Sequence, residues 1–283
     1  MASCQLQAVN NDVRGRLALV TGARHVSFLH QHHHHLFLFL SLAGSATRLT
    51  RTTQDKAESL AHDLQQLHPT QLFVTASADL TCRESTRALV GTVLEKPAVA
   101  EKHRAISVLV ANAGLGRRIR DVKDIEEQDW DEMMEVNTRS QFVVTRACVE
   151  GMRAQGWGRV ILVGSIASRG SGLNGCHYAA SKGALSSMGL NLATLLAPEG
   201  VTVNIVAPAM IGSTGMIPEP KNRAWSPNCD REALRESDPG LAIASSVPIH
   251  RLGVPEEVAN VVTMFTKTGY LTGQDILLSG GLK

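Results

Sequence analysis

The sequence predicts an α/β fold in which a parallel sheet carries helices on both faces. Two observations predict it. Short, nearly continuous apolar runs alternate with helix-like stretches along most of the chain, and that pattern suits strands buried on both sides. The polar residues Asp79, Asn112 and Ser165, together with Pro208, each follow such a run, at the strand ends where folds of this kind bind ligands. The strand-like runs are Leu17–Val20, ending at Thr21-Gly22; Gln71–Ala76, stopping at Asp79; Ile106–Val110, leading into Asn112; Val160–Val163, leading into Ser165; Val201–Val206, ending at Pro208; and Asp275–Leu278, ending at Gly280-Gly281. Between them, helical patterns run over Gln54–Leu67, Arg83–Leu94, Ile125–Ala154, Tyr178–Leu196 and Pro255–Phe265.

Composition excludes several classes. The 283 residues suffice for one domain with a full core, and 43% hydrophobic with 19% charged residues is ordinary for a globular chain. A net charge of +2 gives no basis for a nucleic-acid partner. The apolar stretch Leu36–Ala43 is too short to span a bilayer. The N-terminal extension 1–14 lacks the basic-then-apolar plan of a secretory signal, so a cytoplasmic, membrane-free protein is expected. Five scattered cysteines (Cys4, Cys82, Cys148, Cys176, Cys229) include no CxxC pair and fit a reducing interior.

The chemistry concentrates at Tyr178-Ala179-Ala180-Ser181-Lys182. Residues four apart share one helix face, so the phenol and the ammonium enter one cleft. A neighbouring cation favours phenolate, which makes Tyr178 a candidate proton donor and acceptor at a carbonyl oxygen. Taken alone, the pair also fits an amphipathic surface helix. Ser165 behind its strand and Asn112-Ala113-Gly114 behind another make coincidence a poor account.

The set Asp79, Asn112-Ala113-Gly114, Asn137, Ser165, Tyr178-x-x-x-Lys182 and Asn204-x-x-x-Pro208 resembles the short-chain dehydrogenase/reductases, over about Arg16–Leu282. Within them the chain is most similar to 3-oxoacyl-acyl carrier protein reductase-like members. The resemblance implies a doubly wound, Rossmann-like sheet of about seven strands, a homo-oligomer, commonly a tetramer, and a ketone or acyl thioester substrate. It implies that Tyr178 is the acid/base, that Lys182 holds the ribose and lowers the tyrosine pKa, and that Ser165 donates to the carbonyl. Asn137 would hold a relay water. Cofactor contacts fall by the same resemblance to Thr21, Gly22, Arg24, Asn112, Ala113, Gly114 and Pro208, to Asp79 at the adenine, and to Ile211 at the carboxamide. The aspartate would otherwise cap the helix near Arg83. Thr47-Arg48-Leu49-Thr50-Arg51-Thr52-Thr53 has no carboxylate before Asp55, so Arg51 is expected to meet a 2′-phosphate, favouring NADP(H) over NAD(H).

One segment departs from the family. The expected Thr-Gly-x-x-x-Gly-x-Gly begins at Thr21-Gly22-Ala23-Arg24, but the later glycines that admit a pyrophosphate are missing. Residues 25–43 replace them and are expected to form an apolar helix against the sheet. Consecutive imidazoles at His32–His35 point apart on a helix with no acidic or thiol ligand near, so no metal is expected. The segment reads either as a divergence yielding a cofactor-poor structural or regulatory subunit, or as translated pyrimidine-rich codons of a splice-acceptor tract. Downstream, 212–250 is long, polar and proline-broken, and the resemblance makes it a substrate-covering loop. Arg117, Arg118 and Arg120 form a small basic cluster near the cleft mouth; such clusters are more often simply solvated, and the functional alternative is a site for an acidic carrier protein or a coenzyme A phosphate.

Overall fold

The structure is a computed structural model that describes residues 7–22, 36–44, 51–170, 173–214 and 216–283. Arg24 lies outside the described residues.

Seven parallel strands form one sheet: β1 (Arg16–Thr21), β2 (Leu36–Gly44), β3 (Phe73–Asp79), β4 (Val108–Ala111), β5 (Gly158–Val163), β6 (Val201–Pro208) and β7 (Asp275–Leu278), in the order β3-β2-β1-β4-β5-β6-β7. From β1 the chain winds outward through β2 and β3, then restarts at β4 on the other side of β1. That reversal is the switch point of a doubly wound sheet, as expected, and it opens a crevice beyond the ends of β1 and β4.

Residues 36–44 correct the sequence reading. The expected apolar helix over 25–43 does not extend through this part, because Leu36–Gly44 is the second strand. It runs parallel to both neighbours, with Leu38 beside Ala18 and Phe73. The physical reason is local. Leu36-Phe37-Leu38-Phe39-Leu40 is too short for a stable helix, and a doubly paired central strand satisfies every backbone group of such a run.

The helices lie on the two faces. Described in chain order they are α1 (Arg51–Leu67), α2 (Arg83–Leu94), α3 (Pro97–Ala100), α4 (Glu127–Met134), α5 (Ser140–Gln155), α6 (Cys176–Leu196), α7 (Arg231–Ser237), α8 (Pro239–Ser246) and α9 (Pro255–Lys267). Strand residues alternate between two cores. Leu17, Leu19, Leu109, Val160, Leu162, Val203 and Ile205 meet Val144, Cys148 and Leu185 of α5 and α6. Ala18, Val20, Val108, Val110 and Ile161 meet Leu60 and Leu64 of α1 and Val262 and Phe265 of α9. Each fully buried Leu or Phe contributes about 1.5–3 kcal/mol. Among the described residues no helix is long and apolar enough to cross a membrane.

The residues before β1 are strapped across the amino ends of the strands. Val13 is buried in the second core, Asn11 Oδ1 accepts from the Gly269 N–H (2.7 Å), and Asn10 O accepts from Trp157 Nε1 (3.0 Å) and Arg159 Nη2 (3.1 Å). The Trp157 ring lies between two guanidiniums, Arg16 at 4.3 Å and Arg159 at 4.2 Å from its centroid. Burial pushes the Arg159 guanidinium down to about 10.

Candidate active site

The ends of β1 and β4 are locked together. Thr21 Oγ1 accepts from the backbone N–H of Asn112 (3.1 Å) and of Ala113 (3.0 Å), while Asn112 Nδ2 donates to Thr21 O (2.9 Å) and Gly22 O (3.2 Å). Gly22 has φ +69°, and a Cβ there would stand 2.7 Å from Ala113 Cα. Only glycine fits this approach. At Gly114 a Cβ would sit 3.2 Å from Asn137 Oδ1 and 3.4 Å from Lys182 Nζ, so this bare backbone, Asn137 and Lys182 share one spot.

Asn137 is wholly buried on a π-helical turn, Glu135–Arg139, between α4 and α5. Its Oδ1 accepts from Leu115 N (2.7 Å), and its Nδ2 donates to Leu115 O (2.9 Å) and Ser181 Oγ (3.0 Å). A π turn inserts one residue into a helix and recurs at functional sites. Here it rotates Asn137 inward, and the long helix expected over 125–154 divides into α4, the turn and α5.

On α6, Tyr178 and Lys182 are both buried and face the same side. Lys182 Nζ donates to Val163 O (2.9 Å) and lies 6.0 Å from the Tyr178 ring centroid. Ser165 caps the 3₁₀ turn Ile166–Arg169, its Oγ accepting from Ala167 N (3.2 Å). Burial pushes the Lys182 ammonium down to about 8. Burial also raises the Tyr178 phenol, and the Ser165 hydroxyl works the other way by hydrogen bonding to it. This differs from the expected lowering by Lys182. Desolvation of the enclosed phenol is the largest influence on it.

The remaining expected residues lie along the same sheet edge. Asp79 ends β3 with its Oδ1 accepting from Thr81 N (2.9 Å) and Thr81 Oγ1 (2.7 Å), a local turn that leads into α2. Pro208 ends β6, and Ile211 bridges to Gly253. Arg51 begins α1, after the end of β2.

The basic cluster is largely consumed. Arg117 pairs with Asp129 and, at 2.7 Å, with Glu132, and Arg118 Nη2 donates to Met216 O (3.2 Å). Two residues that the sequence reading passed over matter here. At Gly116 a Cβ would overlap the Met216 methyl, so the 212–250 segment presses directly on this backbone. His177 is fully enclosed beside Tyr178. The spacing Gly114-Leu115-Gly116 was a visible hint of a close approach; His177 gave none.

With this geometry in hand, the comparisons with known proteins are decisive. The short chain dehydrogenase family model matches residues 38–224. The chain belongs to this family. It is 30% identical to acetoacetyl-CoA reductase of Cupriavidus necator over 74% of this chain and 77% of that one. It is 26% identical to the 3-oxoacyl-[acyl-carrier-protein] reductase of Rickettsia bellii over 96% of this chain and 98% of the relative. An NAD+-bound xylitol dehydrogenase shares the fold at a TM-score of 0.74 and 21% identity, over 95% of this chain and 99% of that structure. A short-chain dehydrogenase of this family is an oxidoreductase that works with a nicotinamide nucleotide on a small molecule. The resemblance to 3-oxoacyl-acyl carrier protein reductases is thereby shown.

Proposed function

We propose that this chain is an NADP(H)-dependent oxidoreductase interconverting a ketone and a secondary alcohol, of the 3-oxoacyl thioester reductase type, in one domain covering 1–283. The observation that carries the reading is the Ser165 hydroxyl acting on the buried Tyr178 phenol, beside a buried Lys182 and the bare Gly114 backbone. The nicotinamide half of a cofactor fits these residues: the Gly114 backbone is bare beside Lys182, whose ammonium can donate to ribose hydroxyls. A bound nicotinamide supplies the hydride. Tyr178, kept protonated at neutral pH by its burial, gives its proton to the carbonyl oxygen, and Ser165 donates a second hydrogen bond to that oxygen. Two hydroxyl donors stabilise the growing negative charge more than the neutral ketone. Asn137 fixes Leu115 and Ser181 behind Lys182 and positions the proton route. Arg24, Arg51, Asp79, Pro208 and Ile211 complete the nucleotide contacts, and Arg51 supports NADP(H) over NAD(H).

Acetoacetyl-CoA reductase and the acyl carrier protein reductase support an acyl thioester ketone as the substrate. Exposed Phe142 on α5 and Leu190 and Leu195 on α6 support a homo-oligomer. The test is NADPH oxidation with acetoacetyl-CoA, followed in wild type and in Arg51→Ala, which should raise the KM for NADPH about tenfold and leave that for NADH unchanged. A second reading has one observation in its favour: the family glycines are absent after Gly22. It makes the chain a cofactor-poor subunit. Fluorescence titration with NADPH separates the two, since that reading requires no saturable binding.

A further inference from the structure

His177 lies beside the reacting residues, and the proposed chemistry leaves it unused. It is fully buried in the first turn of α6, and among the described residues neither ring nitrogen has a hydrogen-bond partner. A polar ring enclosed without partners is costly unless its charge state or its neighbours have a task. Its surroundings are tight. A Cβ at Gly175 would come within 2.9 Å of the ring at Cε1 and Nδ1, and would overlap the Ile119 carbonyl. The segment that follows β4 is thus packed against the turn that carries the histidine. Two charged groups act on the ring from facing elements, Asp129 of α4 and Arg117 of that segment, and they act in opposite senses. Both already belong to one ion cluster in which Arg117 holds Asp129 and Glu132.

That cluster anchors the cover of the cleft. Arg117 stands between Gly116, against which the Met216 methyl is pressed, and Arg118, which donates to Met216 O. We propose that His177 is a positioning residue for the substrate-covering loop: while its ring is uncharged, Arg117 keeps both carboxylates, and that pairing holds Gly116–Arg118 in place beneath Met216. A proton on His177 creates an enclosed cation within the electrostatic reach of the half-buried Arg117. Asp129 is the carboxylate that can answer it, and drawing Asp129 away leaves Arg117 with Glu132 alone. The backbone at 116–118 is then released, and Met216 loses its seat. Burial keeps the ring neutral near pH 7, so the cover is closed there and loosens on acidification.

This inference deepens the proposed reductase function, because the cleft it closes is the one assigned to the ketone, but it is read without turnover. The experiment is hydrogen–deuterium exchange of a peptide covering Met216–Trp225 at pH 7.5 and 5.5, corrected for intrinsic exchange. In wild type, protection should fall several-fold, up to about tenfold, at the lower pH. His177→Phe should keep its protection at both values. Arg117→Gln, which breaks the link beyond the ring, should show low protection at both, and it decides the matter if His177→Phe does not fold. His250→Gln controls for the exposed imidazole next to Trp225 and should respond as wild type does. The inference is overturned if His177→Phe or Arg117→Gln retains the full wild-type response, if His250→Gln abolishes it, or if wild type shows none. In parallel, KM for acetoacetyl-CoA should rise with acid in wild type more than kcat falls. Complete absence of turnover in every variant would count against the reductase reading, while the exchange data still decide the role of His177.

Discussion

Asn137→Ala tests whether the π turn is a clamp as well as part of a proton route. The wild-type amide makes three hydrogen bonds to two other segments, with Leu115 N, Leu115 O and Ser181 Oγ, at 2.7, 2.9 and 3.0 Å. At about 1 kcal/mol net for each bond the loss is about 3 kcal/mol, and the stranded Leu115 N–H and C=O raise it to about 3–5 kcal/mol. Ser181 Oγ softens the effect slightly, since it still donates to Tyr178 O (2.8 Å). With a urea slope of about 3 kcal/mol/M, the unfolding midpoint should drop by about 1–1.7 M. A double-mutant cycle with Ser181→Ala should return a coupling of about 1 kcal/mol. A midpoint within about 0.2 M of wild type would refute the clamp, because a side chain used only to hold a relay water would leave stability almost untouched.

Other expectations follow from the same site. Tyr178→Phe should lower kcat for ketone reduction by about 10²–10⁴ with an unchanged circular dichroism spectrum, which steady-state NADPH oxidation checks. Lys182→Met should abolish activity and raise stability at pH 7. The folded ammonium titrates near 8 against an ordinary 10.5, so it binds its proton less well in the folded chain than in the unfolded one. The resulting penalty, about 3 kcal/mol, is complete below pH 8 and vanishes as pH climbs towards 10.5, so thermal melts of mutant and wild type should converge over that range. Gly22→Ala meets both a left-handed φ and the Ala113 backbone, and should cost about 2–5 kcal/mol by denaturant titration. A loss below about 0.5 kcal/mol would show that β1 and β4 are not locked as described.

The parts legible in the sequence are those set by local pattern. Val160–Val163 and Val201–Val206 read as buried strands because every residue but Asn204 is apolar or β-branched, and the observed strands contain them. Tyr178 and Lys182 declared themselves through helical spacing. What could not be read depends on partners distant in sequence. Asn137 occupies a π turn because Leu115 and Ser181 engage its amide, and no periodicity records that. Arg117 looked like free positive charge until Asp129 and Glu132, on the next helix, were brought to it. Leu36–Gly44 illustrates the ambiguity of a short apolar run, which either a helix or a strand can absorb; the neighbours β1 and β3 decide it.

The placement of Trp157 gives the protein a spectroscopic handle. Stacked between two cationic planes and bonded through its indole nitrogen to Asn10, this tryptophan reports whether the leading segment is docked. Peeling that segment away would admit solvent to the indole and shift its emission to the red. With Trp130 and Trp225 replaced by phenylalanine, a plain fluorimeter could therefore follow events at the rear of the sheet independently of whatever occupies the catalytic crevice at its opposite edge.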